Sequence, residues 1–249
     1  MAFFQIHFFS DALGLGTSMN VILPLRAYRQ IGAEVQVRES CPTLYLLHGL
    51  SDDETIWCRR TSIERYAEAY GLAVVMPAGG RSWYTDGIFG NYFTFISEEL
   101  PRICRNFFPQ MSTEREKTFV AGLSMGGYGA FKCALRAPQT FGAAGSLSGA
   151  MDIYHPDLGP EHKILFEEGR LCEQDDLFLL SEKLLASDAP KPRLFQWCGT
   201  EDFLYQDNLR FRDRMIALEY PDYHFEQSEG DHNWYWWDMK IQAFLKWAF

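Results

Sequence analysis

No stretch of this chain restricts its folding more than residues 118–138. The apolar, β-like run Thr118-Phe119-Val120-Ala121 leads directly into Gly122-Leu123-Ser124-Met125-Gly126, and residues 128–136 are rich in helix formers until Pro138 stops them. A G-x-S-x-G sequence between a strand and a helix predicts a turn so sharp that a Cβ at either glycine would meet neighbouring backbone or side chains. Such a turn lifts a serine hydroxyl clear of the sheet. Two rival readings of the glycines fail on the residues around them. A phosphate loop needs a Lys-Ser/Thr pair where Tyr128-Gly129 stand, and a dinucleotide fingerprint needs an acidic residue closing a following strand about 20 residues on, which is absent.

Around this motif the chain has β-like runs at 3–9, 20–25, 43–47, 73–76, 118–121, 143–147, 193–198 and 223–227. From the third onward they alternate with helical stretches. That alternation calls for right-handed crossovers and an eight-stranded, mostly parallel sheet in an α/β fold, with helices on both faces. The first two runs, joined through Gly14 and Gly16, are expected to form an antiparallel edge. The first helical stretch opens at Thr61-Ser62-Ile63-Glu64, which has capping-box spacing, and closes before Gly71. Residues 1–249 read as a single domain, with no linker, internal repeat or low-complexity tract. The rhythm breaks only at about 151–192, a polar loop through Pro156, Gly159 and Pro160 followed by a helical 176–186. This segment is expected to overhang the carboxyl ends of the strands as a cap- or lid-like insertion.

A formal net charge of −10, with basic residues scattered, argues against a nucleic-acid partner. The apolar N-terminal residues lack a basic flank and a small-residue cleavage site, so they read as a strand and not a signal. No run approaches the ~18 apolar residues of a membrane helix. The six cysteines, Cys41, Cys58, Cys104, Cys133, Cys172 and Cys198, show no C-x-x-C pair and suggest buried thiols in a reduced, cytoplasmic setting. A homo-oligomer is left open.

A serine hydroxyl is a poor nucleophile until a histidine can take its proton, and that histidine needs an acid to fix its tautomer. In the order Ser…Asp/Glu…His the acid follows a later strand and the histidine comes near the C-terminus. Asp202, in Cys198-Gly199-Thr200-Glu201-Asp202, meets the first demand, with its neighbour Glu201 as the alternative. His232, in Glu229-Gly230-Asp231-His232-Asn233, meets the second, while His224 falls inside a strand where a structural role is expected. The oxyanion formed by serine attack needs two backbone N–H donors. Met125, after the serine, supplies one, and Leu50, in His48-Gly49-Leu50 after the third strand, is the candidate for the other. His48 precedes Ser124 without a suitable acid, so it is read as a prop for its loop.

The chain at this point resembles the esterase D family of α/β-hydrolases, which includes S-formylglutathione hydrolases and bacterial tributyrin-esterase-like enzymes. The likeness runs through Asn20-Val21-Ile22-Leu23-Pro24, Leu46-Leu47-His48-Gly49-Leu50, Gly122-Leu123-Ser124-Met125-Gly126-Gly127, Gly199-Thr200-Glu201-Asp202 and Gly230-Asp231-His232-Asn233-Trp234. It implies an α/β-hydrolase fold and a serine carboxylesterase without metal or cofactor, acting on small-molecule esters with short acyl groups. Ser124, Asp202 and His232 would be its matching triad. S-formylglutathione hydrolases tend to carry a histidine before the nucleophile and Thr-Cys after the oxyanion-loop Gly-Leu; here Leu123 and Ser51-Asp52 stand instead. That departure weighs against a glutathione thioester.

Of the aromatic residues in predicted loops or helix starts, Trp57, Trp83, Tyr84, Tyr92 and Trp234 are candidates for pocket walls, with Trp57 and Trp234 foremost as substrate contacts because they adjoin motif loops. Trp236, Trp237 and Trp247 are expected to anchor the last helix. Short acyl esters, acetyl to butyryl, are the leading substrates. S-formylglutathione and acetyl-xylan or feruloyl esters are the alternatives within the same chemistry, and an acyltransferase or a binding protein on the same scaffold the alternatives outside it.

Overall fold

The computed structural model describes residues 1–25, 40–155, 158–166 and 173–249. Ten strands are present among them: β1 (Ala2–Ser10), β2 (Leu15–Leu23), β3 (Thr43–Leu47), β4 (Ala73–Pro77), β5 (Asp86–Gly87), β6 (Gly90–Asn91), β7 (Thr118–Leu123), β8 (Ala143–Leu147), β9 (Arg193–Gly199) and β10 (Tyr223–Ser228). Eight of these form one sheet in the order β1-β2-β4-β3-β7-β8-β9-β10, and β5 and β6 make a separate two-residue ribbon. All eight main strands overlap their predicted runs, although β2 starts at Leu15 and ends at Leu23 where the run 20–25 was expected. Strand β2 alone runs against the others: it is antiparallel to β1 and to β4, and every remaining pair is parallel. This is the α/β-hydrolase arrangement. Gly14, at φ +68, closes the β1–β2 turn, whereas Gly16 lies within β2 opposite Phe9.

The sheet is buried on both faces, which is why its inner strands read as continuous apolar runs and not as alternations. Along β3, Tyr45 and Leu47 enter one core while Leu44 and Leu46 enter the other. The first core is covered by α3 (Tyr92–Thr94), α4 (Leu100–Phe107), α5 (Met125–Arg136), α6 (Pro160–Phe166), α7 (Leu177–Leu185) and α8 (Tyr205–Ala217). The second is covered by α1 (Ile56–Arg60), α2 (Ile63–Glu68) and α9 (Trp234–Ala248). Between α3 and α4 the chain makes a π-helical turn, Phe95–Glu99, just before Pro101. Proline has no N–H to continue an α-helical ladder, and the widened turn absorbs that gap. Glu99, buried at this turn, accepts hydrogen bonds from the Ser10 hydroxyl and from the N–H groups of Asp11 and Ala12, and so fastens the first hairpin to the helical layer.

Two expectations need correction. The capping box at residues 61–64 does not form. A short helix, α1, precedes it, Ser62 makes no side-chain cap, and the Thr61 hydroxyl takes its place by accepting from the Ile63 N–H at 3.1 Å. The second concerns the 151–192 segment. Its helix α7 starts on an Asp176 cap that accepts from the N–H groups of Phe178 and Leu179. Leu177, Leu180 and Leu184 then pack into the core, so this half belongs to the helical layer and does not overhang the strands. Pro156 and Cys172 lie outside the described residues. The β5–β6 ribbon had no counterpart in the sequence reading, and Ile88 and Phe89 at its tip are exposed. The five described cysteines are free. Burial pushes the thiols of Cys104 and Cys133 up to about 12. Among the described residues no helix is long and apolar enough to cross a membrane.

The G-x-S-x-G turn is as crowded as its sequence requires. A Cβ on Gly122 would sit 2.4 Å from the Gly126 carbonyl oxygen, and one on Gly126 would sit 2.6 Å and 2.7 Å from the carbonyl oxygens of Leu47 and His48. All three obstacles are backbone, with no flexible end to swing away. Gly126→Ala is therefore expected to cost at least about 2 kcal/mol of unfolding free energy, toward the upper end for overpacked sites. Urea unfolding measures it, and a loss under about 0.5 kcal/mol would show that the turn can relax.

Candidate active site

Three loops at the carboxyl ends of parallel strands converge on one point. The first is the β7–α5 turn, where Ser124 holds φ 53° and ψ −120°, a left-handed conformation that a residue with a Cβ adopts only under constraint. The constraint is visible on both sides of the residue. Its N–H donates to the Leu147 carbonyl at 3.0 Å, and its own carbonyl accepts from Tyr128 at 3.1 Å and Ala150 at 3.3 Å.

The second loop follows β9 and presents Asp202, whose side chain is fully buried and whose Oδ1 accepts from the Leu204 N–H at 2.9 Å. The third follows β10 and presents His232. Its Nδ1 lies 2.8 Å and 3.0 Å from the two Asp202 carboxylate oxygens, and its Nε2 lies 3.0 Å from Ser124 Oγ. An ionised carboxylate only accepts, so Nδ1 carries the proton and Nε2 keeps a lone pair directed at the serine hydroxyl. Glu201, the alternative acid, is engaged elsewhere. Its carboxylate accepts from the Gly230 N–H at 2.6 Å, while its own N–H donates to the Gly230 carbonyl at 3.0 Å. Glu201 thus clamps the β9 loop to the β10 loop, and Asp202 is the acid that meets the imidazole. His224 lies within β10, 3.1 Å from Glu226, away from this cluster.

Met125 opens α5, so its N–H is one of the four at a helix start without an intrahelical partner, at the positive end of the helix dipole. Leu50, on the loop after β3, lines the same cleft as Ser124. That loop is held by His48, which is buried, accepts the Gly79 N–H at Nε2 (2.8 Å) and donates from Nδ1 to the Gly49 carbonyl (2.7 Å). Both ring nitrogens are occupied by backbone, and burial holds the His48 pKa below its ordinary value, so the ring is a neutral brace.

Leu50 and Ser124 open onto a cleft of ≈ 550 Å³ shared with Asp52, Arg81, Phe203, His232, Trp234 and Trp237. Trp57 does not reach it. This residue is 1% exposed, its indole N–H donates to the Leu47 carbonyl at 3.0 Å, and its ring backs Trp234 edge-on at 5.0 Å. Its place next to a motif loop put it near the site, but its size and polar handle sent it into the core beneath. Trp237 anchors α9 as expected, donating to Ser148 Oγ at 3.1 Å, and its indole also braces the edge of His232 at 4.9 Å. Trp83 and Tyr84 are buried with left-handed φ of 55° and 48°, and the Tyr84 hydroxyl donates to the His48 carbonyl. Buried Lys132 fastens this segment to α5 through bonds to the Trp83 carbonyl, Thr85 hydroxyl and Asp175 carboxylate. Tyr92 borders a separate concavity of ≈ 370 Å³ with Arg81, Phe89 and Glu161. Asp52, Arg81 and Phe203 were not anticipated in the cleft. Phe203 and Asp52 had a signal in their adjacency to motif residues, whereas Arg81 had none.

The chain is similar to known proteins over nearly its whole length. A family model described as "Putative esterase" matches residues 10–248. The acetyl esterase of Caldicellulosiruptor saccharolyticus is 31% identical, over 99% of this chain and 98% of that protein. Two solved structures from Staphylococcus aureus superpose on nearly the whole chain. Substrate-bound FphF, a fluorophosphonate-binding serine hydrolase, is 36% identical with a TM-score of 0.85, covering 99% of this chain and 98% of that one. The apoenzyme of the S-formylglutathione hydrolase FrmB is 35% identical with a TM-score of 0.84 and the same coverage.

The His48 brace predicts a pH-dependent penalty. His48→Phe leaves a donor and an acceptor unpaired in the core, which should cost about 2–4 kcal/mol near pH 8. As pH falls through the ordinary histidine value of about 6.5, the unfolded wild-type chain takes up a proton that the buried ring refuses, so wild type loses stability there while the variant is spared that loss. Urea unfolding across this range should show the gap between the two narrowing toward acid. A gap that widens would mean the ring is charged in the fold.

Proposed function

The chain belongs to the Esterase family, and from that premise we propose that Ser124, His232 and Asp202 hydrolyse short-chain acyl esters, acetyl to butyryl, through an acyl-enzyme. Carboxylic ester hydrolysis and the α/β-hydrolase fold come with that membership. The residue roles and the acyl range are our reading. One observation carries it: a serine on a strained turn, 3.0 Å from an imidazole nitrogen whose other nitrogen meets a buried carboxylate at 2.8 Å.

In this reading His232 Nε2 accepts the hydroxyl proton as Ser124 Oγ attacks the acyl carbon. The Asp202 carboxylate stabilises the imidazolium that results. The tetrahedral oxyanion accepts hydrogen bonds from the N–H groups of Met125 and Leu50, dipoles fixed before the reaction begins. Collapse expels the alcohol, protonated by His232, and water drawn to the same imidazole then releases the acid from Ser124. Short acyl groups are supported by the bulk of Phe203 and Trp234 at the cleft and by the likeness to an acetyl esterase. The likeness to FrmB favours a second reading, hydrolysis of S-formylglutathione. A cytoplasmic setting is supported by the five free cysteines.

Ser124→Ala should fold with an unchanged circular dichroism spectrum, lose labelling by fluorophosphonate reagents, and drop kcat/KM by about 10⁴ or more. Labelling that persists in the variant would move the nucleophile elsewhere. Across p-nitrophenyl esters from acetate to octanoate, kcat/KM should peak at or below butyrate and fall steeply beyond. Each methylene that fits adds only about 0.8 kcal/mol of burial, whereas one that clashes misaligns the carbonyl. A peak at octanoate, or faster cleavage of methyl ferulate than of any short ester, would overturn the short-acyl range and leave the triad standing.

A further inference from the structure

The cleft holds a carboxylate that ester hydrolysis itself does not employ. Asp52 lines it on the loop after β3, beside Gly49, Leu50 and Ser51. The point that a Cβ on Gly49 would occupy lies 3.2 Å from Asp52 Oδ2 and 3.8 Å from Ser124 Cβ, so carboxylate and serine flank the same glycine. The other charges of the site are balanced. Asp202 meets His232, and the Arg81 guanidinium grips both oxygens of Glu161, at 2.7 Å through Nε and 2.9 Å through Nη2. The carboxylate of Asp52 has no such ion pair among the described residues. Half-buried, it faces the space where a substrate must lie.

We propose that Asp52 is a specificity-determining residue that makes this cleft favour neutral and cationic esters and reject esters carrying a carboxylate near the scissile bond. The inference rests on the reading of Ser124 as nucleophile. Attack converts a neutral carbonyl into an oxyanion, and a carboxylate on the substrate would add a second negative charge facing Asp52 in a space partly shielded from water. Coulomb interactions there are several times stronger than in bulk solvent. A substrate ammonium reverses the sign. Burial raises the Asp52 carboxyl above its ordinary value and outweighs the opposing pull of His48, a backbone hydrogen bond from Gly49 and the more distant Arg60 charge, in keeping with a partly desolvated position. Thioesters of a tripeptide bearing two free carboxylates fall in the rejected class, so the second reading given above and this one make opposite forecasts.

The test is a matched set of aryl acetates: 3-acetoxybenzoate, its neutral methyl ester, and 3-acetoxy-N,N,N-trimethylanilinium. Each kcat/KM is divided by the rate of alkaline hydrolysis of the same compound to remove leaving-group differences. At mildly alkaline pH and low salt the wild-type ratio of cationic to anionic acetate should be about 30 or more. It should fall about tenfold in Asp52→Asn, the equivalent of one pKa unit of interaction, and also fall toward unity for wild type in molar salt. Asp52→Ser, which keeps a turn-forming side chain, serves as the second variant, and circular dichroism checks both. A ratio near unity in wild type, or one that neither substitution alters, overturns the proposal. Turnover of the neutral acetate that survives Ser124→Ala overturns the reading of the nucleophile on which it rests.

Discussion

The site depends on one close approach, the contact of the Gly122 and Gly126 backbones across the β7–α5 turn. That contact forces Ser124 into its left-handed conformation, at a cost on the order of 1–3 kcal/mol that the surrounding structure has to offset. The offsets are the hydrogen bonds that Ser124 makes to β8 and to the loop beyond it. In return a single turn delivers both a hydroxyl projecting from the sheet and the free N–H groups of a helix start. Gly126 also packs on the carbonyls of Leu47 and His48, so the turn that carries Ser124 and the loop that carries Leu50 are positioned against each other. Behind that loop His48 and Tyr84 form a buried brace, and Lys132 fastens the brace to α5.

Asp202 and His232 are positioned by the sheet itself. Strands β9 and β10 pair in parallel, so their following loops leave at the same level and side by side. Glu201 and Gly230 then tie the loops through two reciprocal bonds, and Thr200 donates to the Ser228 carbonyl. Asp202 and His232 are held within hydrogen-bond distance by backbone geometry, and Trp237 and Phe203 enclose the imidazole from two sides. The order of influence runs from strand pairing to loop pairing to side-chain orientation.

Much of this was legible in the sequence. The strands could be read because burial on both faces leaves unbroken apolar runs such as Thr118-Phe119-Val120-Ala121. The converging residues Ser124, Asp202 and His232 could be read because their chain order and loop positions are what the chemistry demands. What escaped reading depended on tertiary choices with no local mark. Helix α1 is only five residues long and has no side-chain cap, so it exists by packing Ile56 and Trp57. Trp57 and Trp234 look alike in sequence, yet one supports the other from below. Arg81 reaches the cleft because Glu161, 80 residues later, holds it there, a pairing that no spacing rule foresees.

The bond between Ser124 and His232 joins residues 108 positions apart, and the bond between His232 and Asp202 spans 30. During synthesis the crowded turn has its partners once β8 and the loop to Ala150 exist, long before His232 is made. Until β10 has added beside β9 and its loop has delivered the imidazole, Ser124 is an ordinary alcohol with no group to take its proton. Strand order along the chain therefore acts as an interlock in time. On the proposed roles, nucleophilic reactivity would be withheld from every incomplete chain and would appear only with the assembled sheet, so turnover would report on the far edge of the fold as faithfully as on its centre.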